Sequence, residues 1–262
     1  MVRIIWYLIG FLLLLTALCY FNQRQLIYFP STDVPQAQGM QPIHLVTSDG
    51  LAITGWYVPA KKQKPTIFIL HGNARDVDAR MPLARYFMKQ DYGVFLVEYR
   101  GYGGNPGRPS EQGLYRDAEA AFHYLSTQAV PAKNIVIYGE SLGTGVATQL
   151  AMHHPICALI LQSPFASLPA VAAVHYPWIL IEPWDKYDSM ARIKQIHAPV
   201  LIIHGTVDKI VPYAQGKALY EQANEPKQFI SLENKGHGQL WDASFFMAVN
   251  TFIKKYDCRT QK

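Results

Sequence analysis

The stretch Gly139-Glu140-Ser141-Leu142-Gly143 constrains the fold of this chain more than any other. It follows Asn134-Ile135-Val136-Ile137-Tyr138, an apolar, β-branched run of the kind that forms a buried strand. It precedes Thr144-Gly145-Val146-Ala147-Thr148-Gln149-Leu150-Ala151-Met152, which is small and helix-compatible. Strand, Gly-x-Ser-x-Gly and helix in that order predict a turn so sharp that Ser141 takes a strained backbone conformation. Its hydroxyl then stands clear of the sheet at the positive end of a helix. A side chain two residues before or after Ser141 would collide with the neighbouring strand and helix, and both positions are glycine. A bare Gly-x-Ser-x-Gly also arises by chance, so the argument turns on whether a base and an acid follow in a compatible order.

Both do. Pro199-Val200-Leu201-Ile202-Ile203-His204-Gly205 reads as a buried strand, and the loop after it carries Asp208. Lys227-Gln228-Phe229-Ile230-Ser231-Leu232 reads as another, followed by Glu233-Asn234-Lys235-Gly236-His237-Gly238. The order Ser141, Asp208, His237, each just past the carboxyl end of a strand, is that of the α/β-hydrolases. It is not the order of chymotrypsin-type or subtilisin-type enzymes. A serine hydroxyl is a poor nucleophile until a base takes its proton, an imidazole can take and return it near neutrality, and a carboxylate fixes the imidazole's tautomer. Asp117 and Asp185 are rival acids, but neither follows a strand in the required place.

These segments, with His71-Gly72-Asn73-Ala74, Tyr99-Arg100-Gly101-Tyr102-Gly103, Pro109-Ser110-Glu111 and Ser163-Pro164-Phe165, run from about residue 40 to the C-terminal helix. Together the chain resembles an α/β-hydrolase of the membrane-anchored α/β-hydrolase-domain type, a group that includes protein depalmitoylases. The resemblance implies that the backbone N–H of Asn73 and that of Leu142 form an oxyanion hole. It also implies a short cap after the sixth strand. There Phe165, Trp178 and Trp184, among the aromatic and aliphatic residues of 164–190 that include Ile179 and Leu180, are candidates to wall an acyl pocket. His71 is expected to hold its loop by a hydrogen bond rather than to act as a second base.

The N-terminus carries a second signal. Ile4–Phe21 is uninterrupted apolar sequence that would extend about 27 Å as a helix, close to the hydrocarbon thickness of a bilayer. Trp6, Tyr7 and Tyr20 lie near its ends, where interfacial aromatics belong. An uncleaved anchor is expected rather than a signal peptide, because the run is long and Ala17-Leu18-Cys19 is a weak cleavage site. Arg3 and the amino group face Arg24 across it, which tips the orientation slightly toward an extracytoplasmic or lumenal domain. The expected organisation is an anchor over 1–25, a connection over 26–42 and a catalytic domain over 43–258.

Within that domain, strands are expected near 43–48, 52–58, 66–71, 93–98, 134–139, 158–162, 199–204 and 228–232. Helices are expected near 76–90, 111–127, 142–153, 212–223 and 240–255. Alternating buried strands and helices predict a mostly parallel, eight-stranded α/β sheet covered on both faces. Gly101–Gly107 lacks the Gly-Lys-Ser/Thr ending of a phosphate loop and reads as turns. The net charge of +5 is spread without a strong basic block, and nothing reads as a nucleic-acid signature. Cys19, Cys157 and Cys258 have no metal-ligand spacing, and Cys157 is expected to be a free buried thiol. His153 and His154 are adjacent, on different sides of a helix, and are a poor ligand pair. No metal or cofactor is expected.

The expected activity is hydrolysis of acyl esters by a membrane-anchored serine hydrolase passing through an acyl-enzyme. The substrate is expected to be a lipid-like or lipidated ester already at the bilayer. A thioesterase of the depalmitoylase kind is the alternative; a peptidase and a catalytically silent membrane scaffold rank below both.

Overall fold

β-branched runs that are apolar on both faces can be satisfied only between two layers of helices. The computed structural model, which describes residues 2–178, 181–238 and 240–256, has that layered arrangement. Its main strands are β1 (Gln41–Val46), β2 (Ala52–Val58), β3 (Thr66–Leu70), β4 (Gly93–Val97), β5 (Ile135–Glu140), β6 (Ala158–Gln162), β7 (Val200–Gly205) and β8 (Lys227–Leu232). Among the described residues these eight form one sheet in the order β1-β2-β4-β3-β5-β6-β7-β8. Only the β1–β2 and β2–β4 pairings are antiparallel. Every residue of β3, β4, β6 and β7 is buried, whereas the edge strand β1 alternates between exposed and buried.

The helices are α1 (Val2–Phe21), α2 (Gln23–Ile27), α3 (Met81–Met88), α4 (Glu111–Thr127), α5 (Leu142–His153), α6 (Leu168–His175), α7 (Ser189–Ile193), α8 (Tyr213–Gln222) and α9 (Ala243–Lys255). One face of the sheet, with Phe68, Phe95, Ile137, Leu159 and Ile202, packs on α4, α5, α7 and α8. The other, with Ile67, Leu96, Val136, Ile160 and Leu201, packs on α3 and α9. The chain passes from β3 outward to β4, then back across β3 to β5, so the strand order reverses between β3 and β5. Open α/β sheets bind ligands at such a switch point, outside the carboxyl ends of the strands. Leu70 of β3 is in register with Gly139 of β5, and Leu232 of β8 with Gly205 of β7, so the loops carrying Asn73, Ser141, Asp208 and His237 leave one edge.

Several expectations need adjustment. The helix expected over 76–90 is shorter: Asp76 caps a 3-10 turn over Val77–Arg80 and α3 begins at Met81. Pro82 has no N–H to donate, which a helix tolerates only in its first turn. Gly101, Gly103, Gly104 and Gly107 all have positive φ, as a loop of turns requires. Residues 22–31 do not hang free. Phe29–Pro30 pairs in parallel with Ala74–Arg75, and Tyr28 is buried. The free thiol expected at Cys157 is a correction. Cys157 is disulfide-bonded, whereas Cys19 is free and exposed. Pairing depends on which distant residue reaches the thiol in space, and spacing along the chain does not report that. Cys258, Ile179 and Leu180 lie outside the described residues. Arg3–Phe21 is long and apolar enough to cross a membrane, and a signal sequence would meet the same test.

Phe68 in β3 is fully buried, stacked on Phe95 at 5.5 Å between ring centres and near Phe122. Phe68→Ala is expected to lower stability by about 3–5 kcal/mol in chemical denaturation, because so central a site cannot collapse around the void. A loss below about 1 kcal/mol would contradict this packing.

Candidate active site

Ser141 sits at the junction of β5 and α5 with φ 51° and ψ −118°. For a residue with a Cβ this conformation costs about 1–3 kcal/mol and must be imposed by its surroundings. Those surroundings are explicit. Ser141 N–H donates to Gln162 O at 2.9 Å, and Thr144 N–H and Oγ1 donate to Ser141 O at 2.8 and 2.6 Å. A Cβ on Gly143 would stand 2.1 Å from the Leu70 carbonyl oxygen and 2.6 Å from that of His71. One on Gly139 would stand 2.7 Å from the Gly143 carbonyl oxygen. Glycine therefore lets the first turn of α5 press directly on the end of β3.

The three residues separated in sequence converge. Ser141 Oγ lies 2.8 Å from His237 Nε2, and His237 Nδ1 lies 2.7 Å from Asp208 Oδ2. The other carboxylate oxygen of Asp208 accepts the N–H groups of Ile210 and Val211 at 2.8 and 2.9 Å. A carboxylate so occupied cannot donate, so Nδ1 of His237 carries the proton and Nε2 is left to accept from the Ser141 hydroxyl. Burial pushes the Asp208 carboxyl up. Hydrogen bonds from His204 and His237 and the Val211 N–H outweigh it and hold the carboxyl well below the usual carboxylate range. The loops that carry Asp208 and His237 are tied together. Thr206 N–H donates to Leu232 O at 3.0 Å, Val207 N–H to Lys235 O at 3.1 Å, and Asn234 N–H to Thr206 Oγ1 at 3.0 Å.

Beside Ser141, Leu142 is the first residue of α5, and its N–H therefore has no partner within the helix. Across from it, Asn73 is gripped by its carbonyl, which accepts from Phe29 N–H at 2.8 Å and Tyr102 Oη–H at 2.8 Å. Its side-chain Nδ2 donates to Ile27 O at 2.7 Å. A hydroxyl held by an acceptor can attack a carbonyl carbon, and unpaired backbone N–H groups beside it are the kind of donor that stabilises an oxyanion.

Several residues that support the site were not singled out from sequence. Arg80 Nε and Nη2 donate to the two Glu140 carboxylate oxygens at 2.9 and 3.1 Å, and Nη1 donates to Ala74 O at 2.8 Å. One buried guanidinium thus joins the residue before Ser141 to the loop after β3. The position of Glu140 inside the Gly-x-Ser-x-Gly motif was the available signal; its partner was not. His204 Nε2 lies 3.0 Å from Val211 O and 3.3 Å from Asp208 Oδ2, behind the carboxylate. His71 is fully buried. Its Nδ1 donates to Gly72 O at 2.7 Å, and its Nε2 lies 3.0 Å from Glu98.

The three pocket candidates differ in their surroundings. Phe165 is buried in the core. Trp178 is 73% exposed, with its ring against Tyr176, and Trp184 is partly exposed, edge-on to Tyr20 and beneath Arg24. Among the described residues no group of three or more His, Cys, Asp or Glu is arranged to hold a metal ion.

A family model described as serine aminopeptidase, S33, matches residues 61–184. The chain is 45% identical over 245 residues to the uncharacterized protein Rv2307c of Mycobacterium tuberculosis, covering 88% of this chain and 87% of that protein. It is 31% identical over 246 residues to the α/β hydrolase domain-containing protein WAV2 of Arabidopsis thaliana, covering 82% of this chain and 79% of that one. Among solved structures, the Pyrococcus furiosus esterase Pf2001 superposes with a TM-score of 0.72 at 19% identity, over 87% of this chain and 98% of that one. The α/β hydrolase GrgF from Penicillium superposes with a TM-score of 0.68, also at 19% identity, over 83% and 98% of the two chains.

Two outcomes follow from the geometry. The Asp208 carboxyl titrates below its ordinary value when folded, so the stability it contributes is present above about pH 4 and is lost as pH falls toward the folded value. Thermal unfolding should therefore be steeper in acid for the wild type than for Asp208→Asn; parallel acid profiles would contradict the depressed carboxyl. Arg80→Met leaves the partly buried Glu140 carboxylate without its partner and should destabilise by about 1–3 kcal/mol, read by chemical denaturation.

Proposed function

The chain belongs to the α/β-hydrolase family, and on that premise we propose that it is a serine hydrolase that cleaves acyl esters through an acyl-enzyme. The observation that carries this reading is the pair of contacts from Ser141 Oγ to His237 Nε2 at 2.8 Å and from His237 Nδ1 to Asp208 at 2.7 Å. His237 Nε2 takes the hydroxyl proton as Ser141 Oγ bonds to the carbonyl carbon, and Asp208 stabilises the imidazolium that forms. The carbonyl oxygen becomes an oxyanion that accepts from the N–H groups of Asn73 and Leu142. Collapse expels the alcohol, which leaves with the proton from His237. Water then adds to the acyl carbon with His237 again as base, and the carboxylic acid departs as the Ser141 hydroxyl is restored.

The substrate is a long-chain acyl ester presented at a bilayer. The apolar helix α1 supports this, as do the exposed side chains of Val174, Tyr176, Trp178 and Ile181 on the cap. In this reading α1 anchors the protein, residues 26–42 connect it and residues 43–258 form the catalytic unit. The disulfide at Cys157 favours a domain on an oxidising, extracytoplasmic or lumenal side. A thioester is the second reading, favoured by the same apolar cap. Thiolate is a better leaving group than alkoxide, and the constellation asks nothing more of a thioester than of an ester.

A fluorophosphonate probe applied to the full-length protein in membranes should label it covalently, and Ser141→Ala should abolish the labelling. The same substitution should lower kcat on p-nitrophenyl esters by about 10⁵–10⁶-fold. Undiminished labelling of the Ser141→Ala variant would overturn the reading. Palmitoyl-CoA, p-nitrophenyl palmitate and an aminoacyl anilide, compared by kcat/KM, separate thioesterase, esterase and peptidase.

A further inference from the structure

Asn73 is held in place by residues that precede the domain in sequence. Among the described residues the two-residue ladder between Ala74–Arg75 and Phe29–Pro30 has no further strand, so the segment after α1 is the ladder partner of the loop that follows β3. Phe29 N–H donates to Asn73 O at 2.8 Å and Asn73 Nδ2 donates to Ile27 O at 2.7 Å. One residue further on, Gly103 N–H donates to Ser31 O at 2.8 Å, which fixes the segment against the loop that carries Tyr102. With its carbonyl and its side chain both engaged, Asn73 has its N–H left to offer.

The same segment grips the cap on its other side. Arg24 Nε and Nη2 donate to the Asp185 carboxylate at 3.1 and 3.2 Å, and Tyr28 Oη–H donates to Asp185 at 2.8 Å. Trp184 N–H donates to Gln23 Oε1 at 2.6 Å. Tyr28 Oη also lies 2.8 Å from Tyr187 Oη. Tyr187 is fully buried and packs on α5 so closely that a Cβ on Gly145 would stand 2.7 Å from its own Cβ. Residues 24–31 therefore touch the Asn73 loop directly and reach α5, which begins at Leu142, through Tyr187. Both backbone donors expected at the oxyanion are reached from this one stretch. It begins three residues after α1 ends.

The geometry points to residues 24–31 as a positioning element of the active site, which sets the Asn73 peptide at the oxyanion and ties that setting to the end of the membrane helix. This rests on the acyl-transfer reading above. Oxyanion donors act only within about 2.7–3.1 Å of the developing charge, and a misplacement of about 1 Å costs about 10²-fold in rate. A loop carrying such a donor needs external support, and here it comes from the connection to the anchor. The segment makes no contact with the reacting atoms; it acts through Asn73 and the cap.

The test uses the full-length protein in detergent micelles with p-nitrophenyl butyrate. Asn73→Ala keeps the backbone N–H and removes the clamp to Ile27; Tyr28→Phe keeps the ring and removes the bonds to Asp185 and Tyr187. Each should lower kcat by about tenfold or more while KM stays within about twofold. Affinity for a trifluoromethyl ketone, which forms a tetrahedral adduct with serine, should fall by the same factor as kcat/KM. The double variant should lose less than the product of the two single losses, because both act on one element. Kcat within about twofold of wild type in Tyr28→Phe overturns the proposal. So does a rise in KM with kcat intact, which would make the segment a substrate-binding surface. Tyr28→Phe decides the question if Asn73→Ala fails to fold. A wild type without turnover overturns the acyl-transfer reading and this proposal with it; a wild type with turnover and unaffected variants overturns this proposal alone.

Discussion

The rest of the site depends on how closely α5 approaches the end of β3. Gly143 lets the helix's first turn rest on the carbonyl groups of Leu70 and His71, where any Cβ would overlap the Leu70 oxygen at 2.1 Å. That contact turns the chain back sharply at Ser141, forces its positive φ and leaves the hydroxyl exposed to a partner rather than folded into the sheet. It also brings the N–H of Leu142 opposite the loop that follows β3. Ser141 and the Leu142 N–H are thus placed by one packing event at the point where the strand order reverses, and the local strain is held by parallel strands buried on both faces.

Around this point the polar groups form a connected shell. Asp208 is held below its ordinary titration range by two imidazoles and two backbone N–H groups, so it stays an acceptor and fixes the orientation of His237. Arg80 joins Glu140 to Ala74, and His71 turns inward to Gly72 and Glu98. The contacts Asp208–His237, Arg80–Glu140 and His71–Glu98 cross between segments that leave different strands. A loop alone would sample many positions, whereas loops cross-linked by buried polar contacts are held near one. Preorganisation of that kind allows fixed dipoles to act on a developing charge without reorganising during reaction.

The elements around the site were legible in the sequence because they follow short periodicities. Buried strands show as β-branched runs, as in Ile67–Leu70 and Val200–Ile203, and the elbow shows as two glycines flanking a serine between strand and helix. The chain order Ser141, Asp208, His237 points to one rim because strands in a parallel sheet end on the same side. What was not legible depends on pairs far apart in sequence. Nothing near Cys157 announces a disulfide, and nothing near Tyr28 announces Asp185, 157 residues away. The start of α3 was misread because hydrophobic spacing continues through Val77–Arg80 while Pro82 and the Asp76 cap decide where the α-helix begins. By composition Phe165 suits an acyl-pocket wall and core packing equally; its side chain lies in the buried cluster, a placement that composition does not give.

The central claim is that Ser141 becomes covalently acylated. It is tested most directly by mixing the full-length protein with p-nitrophenyl acetate, quenching in acid within the first turnover and weighing the proteolytic peptides. The account predicts a burst of p-nitrophenol equal to the enzyme present, with one acetyl group on the peptide that carries Ser141. A burst with the acetyl group on any other residue, or steady turnover with Ser141 unmodified, would contradict it.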